Sequence, residues 1–132
     1  MSNARHRRAR PEDAIHRAVV QHLRQRGLPD VVWWHTPNGA YFGGKKTRKG
    51  TAIQGSILKG MGMLPGVSDI VALHRGKFFA LELKAAGNVP TDAQLEFIEK
   101  VKAAGGFAGW VVGLDRALTV LERWELLKGS AS

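Results

Sequence analysis

Apolar residues recur every four positions near the start of the chain, at Ile15, Val19 and Leu23, joined by Ala14, Ala18 and Val20. That spacing predicts an amphipathic helix over Pro11 to Arg26. Pro11 suits its first turn, and Gly27 followed by Pro29 ends it. Glu12 and Asp13 fall in the first turn, where the helix dipole favours anions. The period then changes. Val31 to His35 is β-branched and aromatic and closes on Thr36-Pro37-Asn38-Gly39, which predicts a short strand. Thr51 to Gly60 has a weaker helical pattern through Ile53, Ile57 and Leu58. Two apolar runs follow, Ile70 to Leu73 and Phe78 to Leu83, with His74-Arg75-Gly76-Lys77 between them as the signal of a tight hairpin. Thr91-Asp92-Ala93-Gln94 has the form of a capping box, opening a helix with Leu95, Ile98 and Val101 on one face and Gly105-Gly106 at its end. Phe107 to Val112 reads as a fourth strand, and Ala117 to Leu127 as a last helix with Leu118, Leu121 and Leu126 apolar. The predicted order is α-β-α-β-β-α-β-α, an α/β (α+β) chain whose mixed four-stranded sheet is flanked by helices.

The hairpin also carries the candidate chemistry. With Arg75 and Gly76 as the two loop residues, His74 faces Lys77, and counting back along the ladder sets Asp69 opposite Glu82 on one face. Lys84, two residues beyond Glu82, points the same way. Neighbouring carboxylates repel unless a cation sits between them. Hard divalent cations such as Mg²⁺ or Mn²⁺ take one or two carboxylates together with waters and phosphate oxygens. Asp69 and Glu82 are the candidate ligands, with the backbone carbonyl of Leu83 as a third oxygen. Lys84 can orient or help deprotonate a water and counter charge on a phosphate. A surface Asp with a Glu/Lys pair in an ordinary amphipathic hairpin gives the same local pattern, and E-x-K alone does not separate the two.

Composition narrows the class. A chain of 132 residues suits one domain, expected over 11–128, with a basic tail at 1–10, where Ser2-Asn3-Ala4 has the form of a tag remnant, and a short tail at 129–132. The absence of cysteine excludes a disulfide scaffold, a thiolate zinc site and a cysteine nucleophile. No apolar run approaches the ~20 residues of a membrane span, and the expectation is a cytoplasmic protein. Met1 to Lys59 holds 12 Lys and Arg against 3 acids, whereas Gly60 to Ser132 holds 8 of each, so the first half carries the entire net charge of +9. One-sided basicity is the footprint of a polyanion partner, nucleic acid first and an anionic membrane surface second. Lys45, Lys46, Arg48 and Lys49 follow Tyr41, Phe42, Gly43 and Gly44, a combination suited to a loop that tracks a nucleic-acid backbone. A solvated loop has the same composition. G-x-S-x-G, H-E-x-x-H and P-loop patterns are missing, which argues against a small-molecule hydrolase.

Gly66 to Lys84 resembles the G-V-P-D strand, short turn and E-L-K strand of the PD-(D/E)xK nucleases, and in particular the virus-type replication-repair nuclease (VRR-NUC) domain. Glu12, three residues before Ile15, matches that family's N-terminal helix acid, His35-Thr36-Pro37-Asn38-Gly39 looks like its H-x-P-N-G element, and Thr91 with Gln94 resembles its helix after E-x-K. The likeness runs in order from Pro11 to Trp124. It departs at Ser68, where the family usually has proline, a turn-shaping residue and not a ligand.

The resemblance implies a restriction-endonuclease-like core and a metal-dependent endonuclease acting on DNA, with junctions, flaps or other branched forms as substrate. A phage, prophage or bacterial replication and repair role goes with it. It assigns Asp69 and Glu82 as Mg²⁺ or Mn²⁺ ligands, Lys84 as the catalytic lysine, Glu12 as a further acid acting on the metal through water, and Gln94 as a site-orienting amide. The N3 place in a capping box also accounts for Gln94. His35 is a candidate general base or phosphate contact, with Asn38 beside it, although a strand-end histidine is more often a hydrogen-bonded structural residue. A homodimer is expected, and Trp33, Trp34, Trp110 and Trp124 suit an interface or a core equally. The competing reading is a non-catalytic nucleic-acid-binding module on the same fold, which would have little reason to keep Asp69, Glu82 and Lys84 together.

Overall fold

The computed structural model describes residues 11–37 and 56–129. Its elements are α1 (Pro11–Arg26), β1 (Val32–His35), β2 (Ile70–His74), β3 (Lys77–Lys84), α2 (Asp92–Ala103), β4 (Phe107–Val112) and α3 (Leu114–Arg123). Residues 56–60 are also helical, within the stretch where the pattern predicts a helix. The four strands form one mixed sheet in the order β1-β2-β3-β4. β1 pairs antiparallel with β2, and β2 with β3. Helix α2 lies between β3 and β4 in the chain. The chain gathers into two compact units: one holds α1, Leu83–Asn88 and the chain from Val111 onward, the other Asp30–Glu82 and Val89–Trp110.

In the second unit the hairpin has the expected register, with His74 opposite Lys77 and Ile70 opposite Leu81. Arg75 (φ 53°) and Gly76 (φ 79°) both adopt left-handed backbone, the signature of a type I′ turn, whose twist matches that of the flanking strands. Val71 on β2, Ala80 on β3 and Phe97 on α2 form a core joined by Val67, Phe78, Val101 and Ala108. Leu95, expected on the buried face of α2, is exposed. The stripe turned inward is Gln94, Phe97, Ile98 and Val101, at i, i+3, i+4 and i+7.

In the first unit α1 packs on α3, burying Val19 and Leu23 against a partner whose buried residues are Ala117 and Leu121. The last helix departs from expectation at both ends, running Leu114–Arg123 instead of Ala117 to Leu127. Asp115 opens it in the first turn, where the dipole favours an anion. Glu125 at φ 63° breaks it. Leu126 and Leu127 are buried as an extended segment instead: Leu28 N donates to Leu126 O at 3.1 Å, Lys128 N donates to Arg26 O at 2.8 Å, and Gly27 bridges Leu127. The Arg26 guanidinium secures this segment through Glu122 Oε2, 3.0 Å from both terminal nitrogens, and Lys128 O at 2.6 Å. Among the described residues no helix is long and apolar enough to cross a membrane.

Candidate active site

Strand β3 places Glu82 and Lys84 two residues apart, so both turn to the same face. Both are buried, with 2% and 7% of their surface exposed. In the β2–β3 ladder Ile70 pairs with Leu81. Extending that ladder by one step brings Asp69, the residue just before β2, level with Glu82.

The backbone at Asp69 is pinned from β1. Its carbonyl accepts the Thr36 N–H at 3.0 Å and lies 3.2 Å from His35 Nδ1. A carbonyl can only accept, so Nδ1 carries the hydrogen in that contact. His35 is therefore placed on the main chain of Asp69.

Gln94 hydrogen-bonds in two directions. Thr91 caps α2 by accepting the Gln94 N–H at 3.1 Å, and Gln94 Oε1 accepts the Thr91 N–H at 2.9 Å, a complete capping box. The other end of the same amide, Nε2, donates to Glu82 Oε2 at 2.9 Å. Because the cap consumes the amide oxygen, the NH₂ group is the end turned toward the carboxylate.

Two contacts, one in each unit, are not evident in the sequence pattern. Gly66 (φ 84°) lies so close to the first turn of α2 that a Cβ there would stand 2.3 Å from Ala93 O and 2.9 Å from Gln94 N. Its glycine signals a turn; the contact depends on tertiary packing. In the first unit Glu12 Oε2 accepts from Asn88 Nδ2 at 2.6 Å and from Ala85 N at 3.4 Å. The loop residues just after β3 thus hold the α1 acid, and a lone Asn in a turn carries no signal of it.

Ser68 is buried, and its hydroxyl has no hydrogen-bond partner in the structure. Nothing in the structure explains why serine stands there. Asn38, Lys45, Lys46, Arg48 and Lys49 lie outside the described residues. Among the described residues, no group of three or more His, Cys, Asp or Glu is gathered closely enough to hold a metal ion. The carboxylates at this end of the hairpin are Glu82 on β3 and Asp69, the residue just before β2.

Neither the protein-family models nor the curated proteins match this sequence. Among solved structures, it is similar to a VRR_NUC domain protein at 19% identity, with a TM-score of 0.64, over 92% of this chain and 93% of that one. At that identity the likeness is one of architecture: this chain has the fold of a VRR_NUC domain protein.

Proposed function

We propose that this chain is a divalent-metal-dependent endonuclease that hydrolyses DNA phosphodiester bonds, selecting structured DNA such as junctions and flaps. The observation that carries this reading is the Gln94–Glu82 hydrogen bond of 2.9 Å. It fixes a buried carboxylate, level with Asp69 in the ladder and two residues from a buried lysine. A solvent-facing amphipathic hairpin would leave both charges in water, because burying them is costly.

The donor set suits Mg²⁺ or Mn²⁺. Asp69, Glu82 and the Leu83 carbonyl are hard oxygen donors, and cations of this kind use one or two carboxylates and fill the rest of the shell with water and phosphate oxygens. A cation bound there would stabilise charge developing on the phosphate and acidify the attacking water. The chain's own residues do the rest. The Gln94 amide holds Glu82 in one orientation, a preorganisation that costs nothing at the moment of reaction. The Lys84 ammonium neutralises phosphate charge and orients the attacking water. Lys45, Lys46, Arg48 and Lys49, with His35 and Asn38, draw in the DNA backbone. A homodimer would let two such sites address two strands, in a replication or repair role within a bacterial or phage-infected cell.

The test is a cleavage panel of junction, flap, nicked and linear DNA with Mg²⁺ and with Mn²⁺. Asp69→Ala, Glu82→Ala and Lys84→Ala should each abolish cutting, while DNA binding in EDTA stays close to that of the unaltered protein. Cutting that persists in all three variants would overturn the assignment. A protein that binds DNA and never cuts it would be a binding module instead.

A further inference from the structure

Trp34 stands on the same face of the sheet as the candidate carboxylates. It pairs with Val71, and Val71 pairs with Ala80. Alternation along each strand therefore sets Trp34, Val71, Ala80, Asp69 and Glu82 on one side. Over Val71 and Ala80 that side is covered by Phe97 and Val101 of α2. Along β1 it remains open: Trp34 is 46% exposed, and its neighbours Val32 and Leu73 are 58% and 45% exposed. Trp34 is the diagonal neighbour of Asp69 across the β1–β2 pair, a separation of roughly 7–8 Å that an aromatic side chain can bridge. Thr36 and His35 bond the Asp69 carbonyl at 3.0 and 3.2 Å, so the end of β1 is fixed relative to the acid.

We propose that Trp34 is a base-stacking residue, whose indole face receives the nucleobase beside the phosphate that Asp69 and Glu82 address. This rests on the nuclease reading above. An indole offers a sequence-tolerant stacking surface, since every base has a π-face. A second copy of the chain is the weaker occupant. Three half-exposed side chains offer far less than the roughly 800 Å² per partner of a stable interface, and covering Trp34 would crowd the face that must admit DNA.

The experiment uses the full chain and the substrate it cuts best, with the cut position mapped and then an abasic site placed on either side of it. Binding is measured in EDTA across a salt series and cleavage under single-turnover conditions, for the unaltered protein, Trp34→Ala and Trp34→Phe. Trp34→Ala should weaken binding by about 5- to 150-fold without changing the salt slope or the elution volume in gel filtration. Trp34→Phe should restore most of it. One abasic position should weaken the unaltered protein and add little further loss to Trp34→Ala, because both changes remove the same contact. If the unaltered protein binds and cuts while Trp34→Ala matches it, the stacking role fails and the nuclease reading stands. A full abasic penalty in Trp34→Ala, or a change of oligomeric state on that substitution, would also overturn it. If the unaltered protein neither binds nor cuts DNA, both readings fail together.

Discussion

A single amide joins the start of helix α2 to the buried carboxylate of strand β3, so the substitutions that separate its two bonds are informative. Gln94→Glu keeps the capping box, since glutamate serves at N3 as well as glutamine, yet it replaces the Nε2 donor with a second carboxylate against Glu82. Gln94→Ala loses the side-chain half of the cap and the Glu82 bond together. The cap should cost Gln94→Ala about 1 kcal/mol of stability. The effect on the site should run the other way. Partners of this kind typically change metal affinity or activity by about 10- to 100-fold, and the loss should be at least as large in Gln94→Glu, despite its better cap. Paired thermal melts and Mg²⁺ titrations of cleavage check this. Activity that simply tracks melting temperature in both variants would reduce Gln94 to a capping residue.

At the scale of elements, the chain announces the parts whose chemistry is local. The Arg75-Gly76 turn fixed the hairpin register because left-handed backbone at both positions favours a two-residue loop, and a slip of one residue would turn every apolar side chain to the wrong face. The Thr91–Gln94 box located the start of α2 for the same reason. The end of α3 was not legible, because Leu126 fits a helical stripe and an extended buried segment equally. Its fate is decided by backbone bonds from residues near the other end of the chain, such as Leu28 N to Leu126 O. Leu95 likewise looked like core until the close approach at Gly66 fixed the seating of α2. That approach makes its own prediction. Gly66→Ala would place a methyl group on the Ala93 carbonyl at φ 84°, adding a backbone clash to a left-handed penalty of about 1–2 kcal/mol. The clash should also pull Gln94 away from Glu82. Gly62→Ala is the control: its φ of 101° is equally left-handed, but nothing lies within 4 Å of the added carbon. Denaturant melts should show a larger loss for Gly66→Ala, and DNA cleavage should fall only in that variant. Equal losses would mean that the contact with α2 contributes nothing.

Over the whole molecule, the excess charge and the hairpin's carboxylates and lysine occupy different parts of the sequence. The excess of +9 lies in Met1 to Lys59, whereas Asp69, Glu82 and Lys84 belong to the half with no net charge. Such a division lets attraction and chemistry be tested apart. Each phosphate neutralised by a lysine or arginine releases counterions, so the logarithm of affinity falls with the logarithm of salt by about 0.9 per contact on duplex DNA. Replacing Lys45, Lys46, Arg48 and Lys49 by glutamine should therefore flatten the salt slope by up to roughly 3.6 if all four touch phosphates. Binding in EDTA should weaken most at low salt, where surface electrostatics are least screened. Single-turnover cleavage at saturating protein should change much less, because the carboxylates, Lys84 and Gln94 are untouched. A stacking residue behaves in the opposite way, lowering affinity at every salt concentration by the same factor. Binding isotherms over a range of ionic strength thus separate the two contributions in one series. An unchanged slope in the fourfold variant would make residues 45–49 a solvated loop and move the polyanion footprint to the arginines of the first 26 residues.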